Sequence, residues 1–141
     1  MQILLVAPSS EEKIERSYLG PNLGIVRLAG YLNKHGHYAD YYDPSLKMAT
    51  GRGPTLEEKL MERDWEIFGL SCLDDTLETD IKHMYLAKKH RPNALLISGG
   101  IEAQFNYQTL LDKTPCRIVI LGEGEIPLLS IANGVPLHEI P

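Results

Sequence analysis

Hydrophobic positions along the chain fall into two alternating patterns. Short, nearly continuous apolar runs occur at residues 2–7 (QILLVA), 66–73 (EIFGLSCL), 93–100 (NALLISGG) and 116–121 (CRIVIL), with a more mixed run, HYADYYD, at 37–43. Runs of this length, closed off by Pro, Gly or Ser, read as strands, and the wholly apolar ones as strands covered on both faces. Between them the apolar residues recur at helical spacing. Helices are predicted over 22–36, 55–63, 74–92 and 102–114, and a short one over 126–134. Asn22 can cap the first and Gly36 suits the position after its last turn. Thr55 with Glu58 three residues on is a capping box. In the 74–92 segment Asp75, Glu78 and Asp80 come early and Lys88, Lys89, His90 and Arg91 late, as the helix dipole prefers, and Pro92 stops it. Residues 9–21 and 45–54 read as loops, the latter because Gly51, Gly53 and Pro54 interrupt it.

Strand and helix therefore alternate five times. That order predicts an α/β fold: a five-stranded parallel sheet in the flavodoxin-like (Rossmann-like) order 2-1-3-4-5, with helices on both faces and right-handed crossovers. In such a sheet, ligands bind outside the carboxyl ends of the strands. Five loops should meet there: Pro8-Ser9-Ser10; Asp43-Pro44-Ser45; Ser71-Cys72-Leu73; Ser98-Gly99-Gly100-Ile101-Glu102; and Gly122-Glu123-Gly124-Glu125. Three of the five are small or glycine-rich where the strand exits. A slot walled by main chain, able to donate from backbone N–H groups, follows from that composition. For Gly99-Gly100 the simpler alternative is a turn that needs positive φ.

Composition narrows the partners. The 141 residues fit one domain, and 43% hydrophobic with 23% charged residues is ordinary for a globular protein. A formal net charge of −5 does not favour nucleic acid. No run approaches the ~20 apolar residues of a membrane span, and with no basic leader a cytoplasmic setting is expected. Cys72 and Cys116, the two cysteines, lack companions at metal-ligand spacing and read as buried free thiols. His35 and His37 read as exposed residues flanking a turn, and His83 and His90 as solvated positions on a helix.

Familiar nucleotide folds do not account for the loops. The first turn, APSSEE, lacks G-x-G-x-x-G and no Walker lysine loop is present. The acidic residues and lysine of a phosphorylation receiver are missing. Ser71-x-Leu73 after the third strand and Gly99-Gly100 after the fourth instead resemble two signature loops of cobalamin-binding domains. The third signature, D-x-H-x-x-G, is absent, and residues 7–22 contain no histidine. The ordered set YLGPNLGIVRLAGYLNKHGH, ISGGIEA, ILGEGEIPLLSI and EIP resembles the N-terminal cobalamin-binding domain of radical S-adenosylmethionine enzymes.

The resemblance implies a domain over residues 1–134 and, at 135–141, the start of a linker to a downstream radical domain. That downstream domain would carry the [4Fe-4S] cluster and S-adenosylmethionine, with methyl transfer or ring closure as its reaction. It also implies cobalamin held base-off with no protein histidine on the cobalt. Cofactor contacts are expected from Ser9, Ser10, Tyr18, Leu19, Asp43, Ser71, Cys72 and Leu73, from Ser98 through Glu102, and from Gly122 through Glu125. Tyr18 and Leu19 would face the lower side of the corrin. No catalytic or metal-ligating side chain is expected within the chain. A cofactor-free scaffold of the same fold and a stand-alone cobalamin carrier or sensor remain open beside this reading.

Overall fold

A computed structural model of the chain describes residues 1–8 and 22–141. The strands are β1 (Gln2–Val6), β2 (Tyr38–Tyr42), β3 (Ile67–Ser71), β4 (Leu95–Gly99) and β5 (Ile118–Val119). They form one sheet in the order β2-β1-β3-β4-β5, and every pair is parallel. This is the predicted topology, although β5 is only two residues long. The helices are α1 (Leu23–Lys34), α2 (Pro44–Thr50), α3 (Leu56–Met61), α4 (Leu77–His90), α5 (Ile101–Lys113) and α6 (Glu125–Ala132).

Alternate strand residues feed two separate cores, as the two-residue side-chain period requires. Ile3, Leu5, Ile67 and Ile97 pack against Ile25, Ala29 and Leu32 of α1 and Leu128, Ile131 and Ala132 of α6. Leu4, Val6, Phe68, Leu70 and Leu96 face the other way. They meet Leu56 and Leu60 of α3, Met84 and Ala87 of α4, and Ala103 and Leu110 of α5, with Trp65 beside them. Each central strand is thus buried on both faces, which explains why the runs in β1, β3 and β4 are apolar throughout.

Helix ends follow the capping signals. The Asn22 side chain accepts from the Ile25 N–H (3.1 Å). Thr55 and Glu58 complete the capping box at α3, with the Glu58 N–H donating to Thr55 Oγ1 (3.1 Å) and the Thr55 N–H to Glu58 Oε2 (2.7 Å). Residues 45–54 do not form the predicted loop, because α2 occupies 44–50. Asp43 caps that helix by accepting from the Ser45 N–H (3.0 Å), Pro44 sits in the first turn, and Gly51 ends it in the left-handed region (φ 66°). Proline at the start and glycine just past the end are helix punctuation as much as loop punctuation. A 3₁₀ turn spans Leu137–Glu139, and Ile140 packs on the α1/α6 core.

Candidate functional site

A cavity of about 230 Å³ opens at the carboxyl edge of the sheet, on the α1/α6 side. Its floor is a row across three strands. Leu5 of β1 stands in register with Gly69 of β3, and Gly69 with Ile97 of β4. One step nearer the edge, Ser71 stands in register with Gly99. The middle of the lower row and one end of the upper row thus carry no side chain. Leu5 leans into the first gap: a Cβ at Gly69 would meet its Cδ2 at 2.7 Å. Gly99 leaves the second gap open, since a Cβ there would have only the Ile120 carbonyl oxygen nearby, at 3.7 Å. Ile25 and Leu28 of α1 and Leu128 of α6 roof the cavity, and Ile120 and the 122–124 loop close its side.

Polarity is graded from floor to mouth. Leu5, Ile25, Ile97, Ile120 and Leu128 are buried. Arg27 and Glu125 meet at the rim, where Arg27 Nε lies 3.0 Å from Glu125 Oε1 and their side chains are 75% and 15% exposed. Glu123 is exposed beside them. Ser71 presents a hydroxyl into the cavity from this face of the sheet, and no described residue hydrogen-bonds it.

The two adjacent glycines do different jobs. Gly100 has φ 94° and ψ −179°, a combination essentially confined to glycine. A Cβ there would lie 2.8 Å from both the Cys72 carbonyl oxygen and Ser71 Oγ. The close approach lets the Glu102 N–H donate to the Cys72 carbonyl (3.2 Å), while the Cys72 N–H donates to the Gly99 carbonyl (2.9 Å). The turn reading is therefore correct for Gly100. Gly99 has no positive φ, and what its missing side chain provides is space.

Of the expected site residues, Ser71, Gly99, Gly100, Gly122, Glu123, Gly124 and Glu125 line the cavity, with Ser98 on the same strand end. The Ser98 side chain belongs to the opposite face, where Ser98 Oγ and Cys72 Sγ are 3.2 Å apart. Cys72 is fully buried there, and burial pushes its thiol pKa up to about 12. Burial also raises the Cys116 thiol. Both cysteines are free. Leu73 and Ile101 are exposed beyond the cavity, and Glu102 is buried, bonded by the Asn106 amide. Asp43 serves structure. Besides capping α2, it accepts from the Asn22 N–H (2.9 Å) and so fixes the start of α1. Ser9, Ser10, Tyr18 and Leu19 lie outside the described residues.

Gly69, Leu5, Ile97, Ile25 and Leu28 are cavity residues that the sequence reading passed over. A glycine inside an otherwise apolar strand was the available signal, since such a position often marks close approach of another group. His83 is another departure: it is buried on α4 at 9% exposure, not solvated. His90 is half-buried and pairs with Glu57 at 2.7 Å. None of the five histidines lines the cavity. Among the described residues, no three His, Cys, Asp or Glu side chains gather as a metal site, and no helix is long and apolar enough to cross a membrane.

The chain belongs to the B12 binding domain family, whose model matches residues 13–132. Over 137 residues it is 29% identical to the anaerobic magnesium-protoporphyrin IX monomethyl ester cyclase of Cereibacter sphaeroides, covering 94% of this chain and 22% of the cyclase. The enzyme of the same name from Rubrivivax gelatinosus is 26% identical over 116 residues, covering 82% of this chain and 21% of that protein. The chain thus spans about a fifth of the length of the curated relatives it matches. Among solved structures it resembles the cobalamin-dependent S-adenosylmethionine radical enzyme OxsB with aqua-cobalamin bound. The TM-score is 0.69 at 17% identity, over 96% of this chain and 19% of that one. At that identity the likeness shows the fold.

Proposed function

We propose that this chain binds cobalamin in the base-off state, with the flat lower base and its nucleotide linkage inserted into the cavity at the β3/β4 edge. The observation that carries this reading is the open gap at Gly99 beside the Ser71 hydroxyl, which has no hydrogen-bond partner among the described residues, under an apolar roof. At about 230 Å³ the cavity is below the roughly 300–1,000 Å³ of a site that encloses a whole drug-sized ligand. It suits one ring system, with the corrin lying outside over the sheet edge. Ser71 would donate to the ring nitrogen that has left the cobalt. Leu28, Ile97 and Leu128 would sandwich the ring, and the main chain of 122–124 would flank the linkage.

When bound, the cofactor supplies a cobalt centre able to carry an alkyl group. The chain's own part is to bind the corrinoid, exclude water from the base and hold it away from the metal. No histidine lines the cavity and none occurs in residues 7–22, so the cobalt would have no protein imidazole beneath it. Family membership supports the ligand. In this reading the domain precedes a radical S-adenosylmethionine domain with its [4Fe-4S] cluster in a larger cytoplasmic polypeptide; what favours a larger polypeptide is that the chain spans about a fifth of its relatives' length, and what favours the radical domain is the likeness to a cobalamin-dependent S-adenosylmethionine radical enzyme. That domain would perform the methyl transfer or ring closure.

The test is retention of hydroxocobalamin. After incubation and desalting, the protein should keep visible colour in stoichiometric amount. A colourless, folded protein would refute the reading and favour a cofactor-free scaffold.

A further inference from the structure

We infer that Arg27 is a ligand-binding residue at the cavity mouth, where it holds the phosphodiester that joins the lower base to the corrin. The inference rests on the proposed seat for the base and adds a specific contact to it. Gly24, Arg27 and Leu28 of α1 line one side of the cavity, a spacing that puts them on one face of the helix. Leu28 reaches the loop opposite: a Cβ at Gly124 would lie 3.5 Å from Leu28 Cδ2. Arg27, the residue before it, meets Glu125, with Nε 3.0 Å from Glu125 Oε1. The two partners differ in freedom. Glu125 opens α6, where the helix dipole favours a carboxylate, and its side chain is 15% exposed. The Arg27 side chain is 75% exposed. Glu125 thus holds one edge of the guanidinium through Nε, and a guanidinium carries four further N–H donors on its two Nη atoms.

A base seated among Leu28, Ile97 and Leu128 leaves its linkage to pass this mouth on the way to the corrin outside. That linkage carries a single negative charge, on the phosphodiester. The other charged side chains there, Glu123 and Glu125, are both acidic, so the rim without Arg27 would repel the linkage. Among the described residues Arg27 is the one basic side chain lining the cavity. A guanidinium matches two phosphate oxygens with parallel N–H groups. Because the mouth is open to water, the contact is worth less than a buried one. Backbone N–H groups of the 122–124 loop can share the anion with Arg27, but they do not replace its charge.

The experiment measures dissociation constants by equilibrium dialysis, in phosphate-free buffer, for cobalamin and for cobinamide, which lacks both the phosphodiester and the base. Wild-type protein, Arg27→Gln and Arg27→Lys are compared, with thermal melts to check that these exposed substitutions leave the fold intact. The expected result is a roughly 3- to 10-fold weaker affinity of Arg27→Gln for cobalamin, unchanged affinity for cobinamide, and partial recovery in Arg27→Lys. Unchanged affinity of Arg27→Gln for cobalamin would overturn the inference. So would an equal loss for both ligands, which would place Arg27 against the corrin. Either result leaves the seat for the base intact as long as the wild-type protein prefers cobalamin to cobinamide. No recovery in Arg27→Lys would overturn a role based on charge. Equal wild-type affinity for the two corrinoids would overturn the seat itself, and failure to bind either would overturn the proposed function with it.

Discussion

Replacing Gly99 by leucine should close the cavity while leaving the fold in place. The position has an ordinary strand φ, and its Cβ would have a neighbour no closer than 3.7 Å. The added side chain would stand on the same face of the sheet as Ser71, beside it, in the space proposed for the base. Aliphatic residues suit strands, and filling an apolar gap changes stability by about 1 kcal/mol in either direction. The ligand would lose far more. A bicyclic ring of tryptophan-like size buries about 150–250 Å², which at about 25 cal/mol per Å² is roughly 4–6 kcal/mol. Losing half of that burial weakens binding by roughly 25- to 200-fold. The assay is titration of the variant with hydroxocobalamin, followed by absorbance, beside a thermal melt. Unchanged affinity in a folded Gly99→Leu protein would refute the assignment of the base to this cavity. The neighbouring position makes the contrast. Gly100→Ala places a Cβ 2.8 Å from a carbonyl oxygen at φ 94°, so it should lower stability by about 1–3 kcal/mol even without cofactor.

Other outcomes follow from the same geometry. Ser71→Ala should weaken cobalamin binding by roughly 3- to 10-fold, the worth of one hydrogen bond, with little change in melting temperature; a change in stability without a change in affinity would make the residue structural. Asp43→Ala removes acceptors for two backbone N–H groups, at Ser45 and Asn22, and should cost about 1–2 kcal/mol in denaturant unfolding. The Cys72 thiol has a folded-state pKa raised to about 12 from an ordinary value of 9.0. Above pH 9 the unfolded chain therefore loses a proton that the folded chain keeps. Stability should be unaffected by this group below pH 9 and fall between there and pH 12, by up to about 1.4 kcal/mol per pH unit. Melts of Cys72→Ala should show a shallower alkaline decline, and an identical decline would contradict the assignment. A thiol reagent at neutral pH should react with Cys72 only as the protein unfolds.

The sheet order was legible because its evidence is redundant. Four apolar runs, a mixed edge run and the intervening helical periods all agree, so no single residue decides the topology. Errors arose where one residue type carries two meanings. Pro44 and Gly51 bound a short helix as readily as they bound a loop, and only the Asp43 cap distinguishes the two. At the site, the loop residues after β3, β4 and β5 were visible as small residues at strand ends. The floor was not, since Leu5, Gly69 and Ile97 become one row only through the register of three strands far apart in sequence. Cys72 shows the converse difficulty. It is adjacent in sequence to Ser71 but faces the other side of the sheet, as strand alternation demands. His83 was misplaced because the apolar stripe of α4 is weak, so the buried side of that helix includes Asp80 and His83 alongside Met84 and Ala87.

The central claim is that the lower base leaves the cobalt and enters the protein. Paramagnetic resonance of the cob(II)alamin-loaded protein reports this directly, because a nitrogen on the axial position splits the cobalt lines. The account predicts a signal without that splitting, in the intact protein at neutral pH. A spectrum that retains it, from the base or from a histidine, would contradict the account.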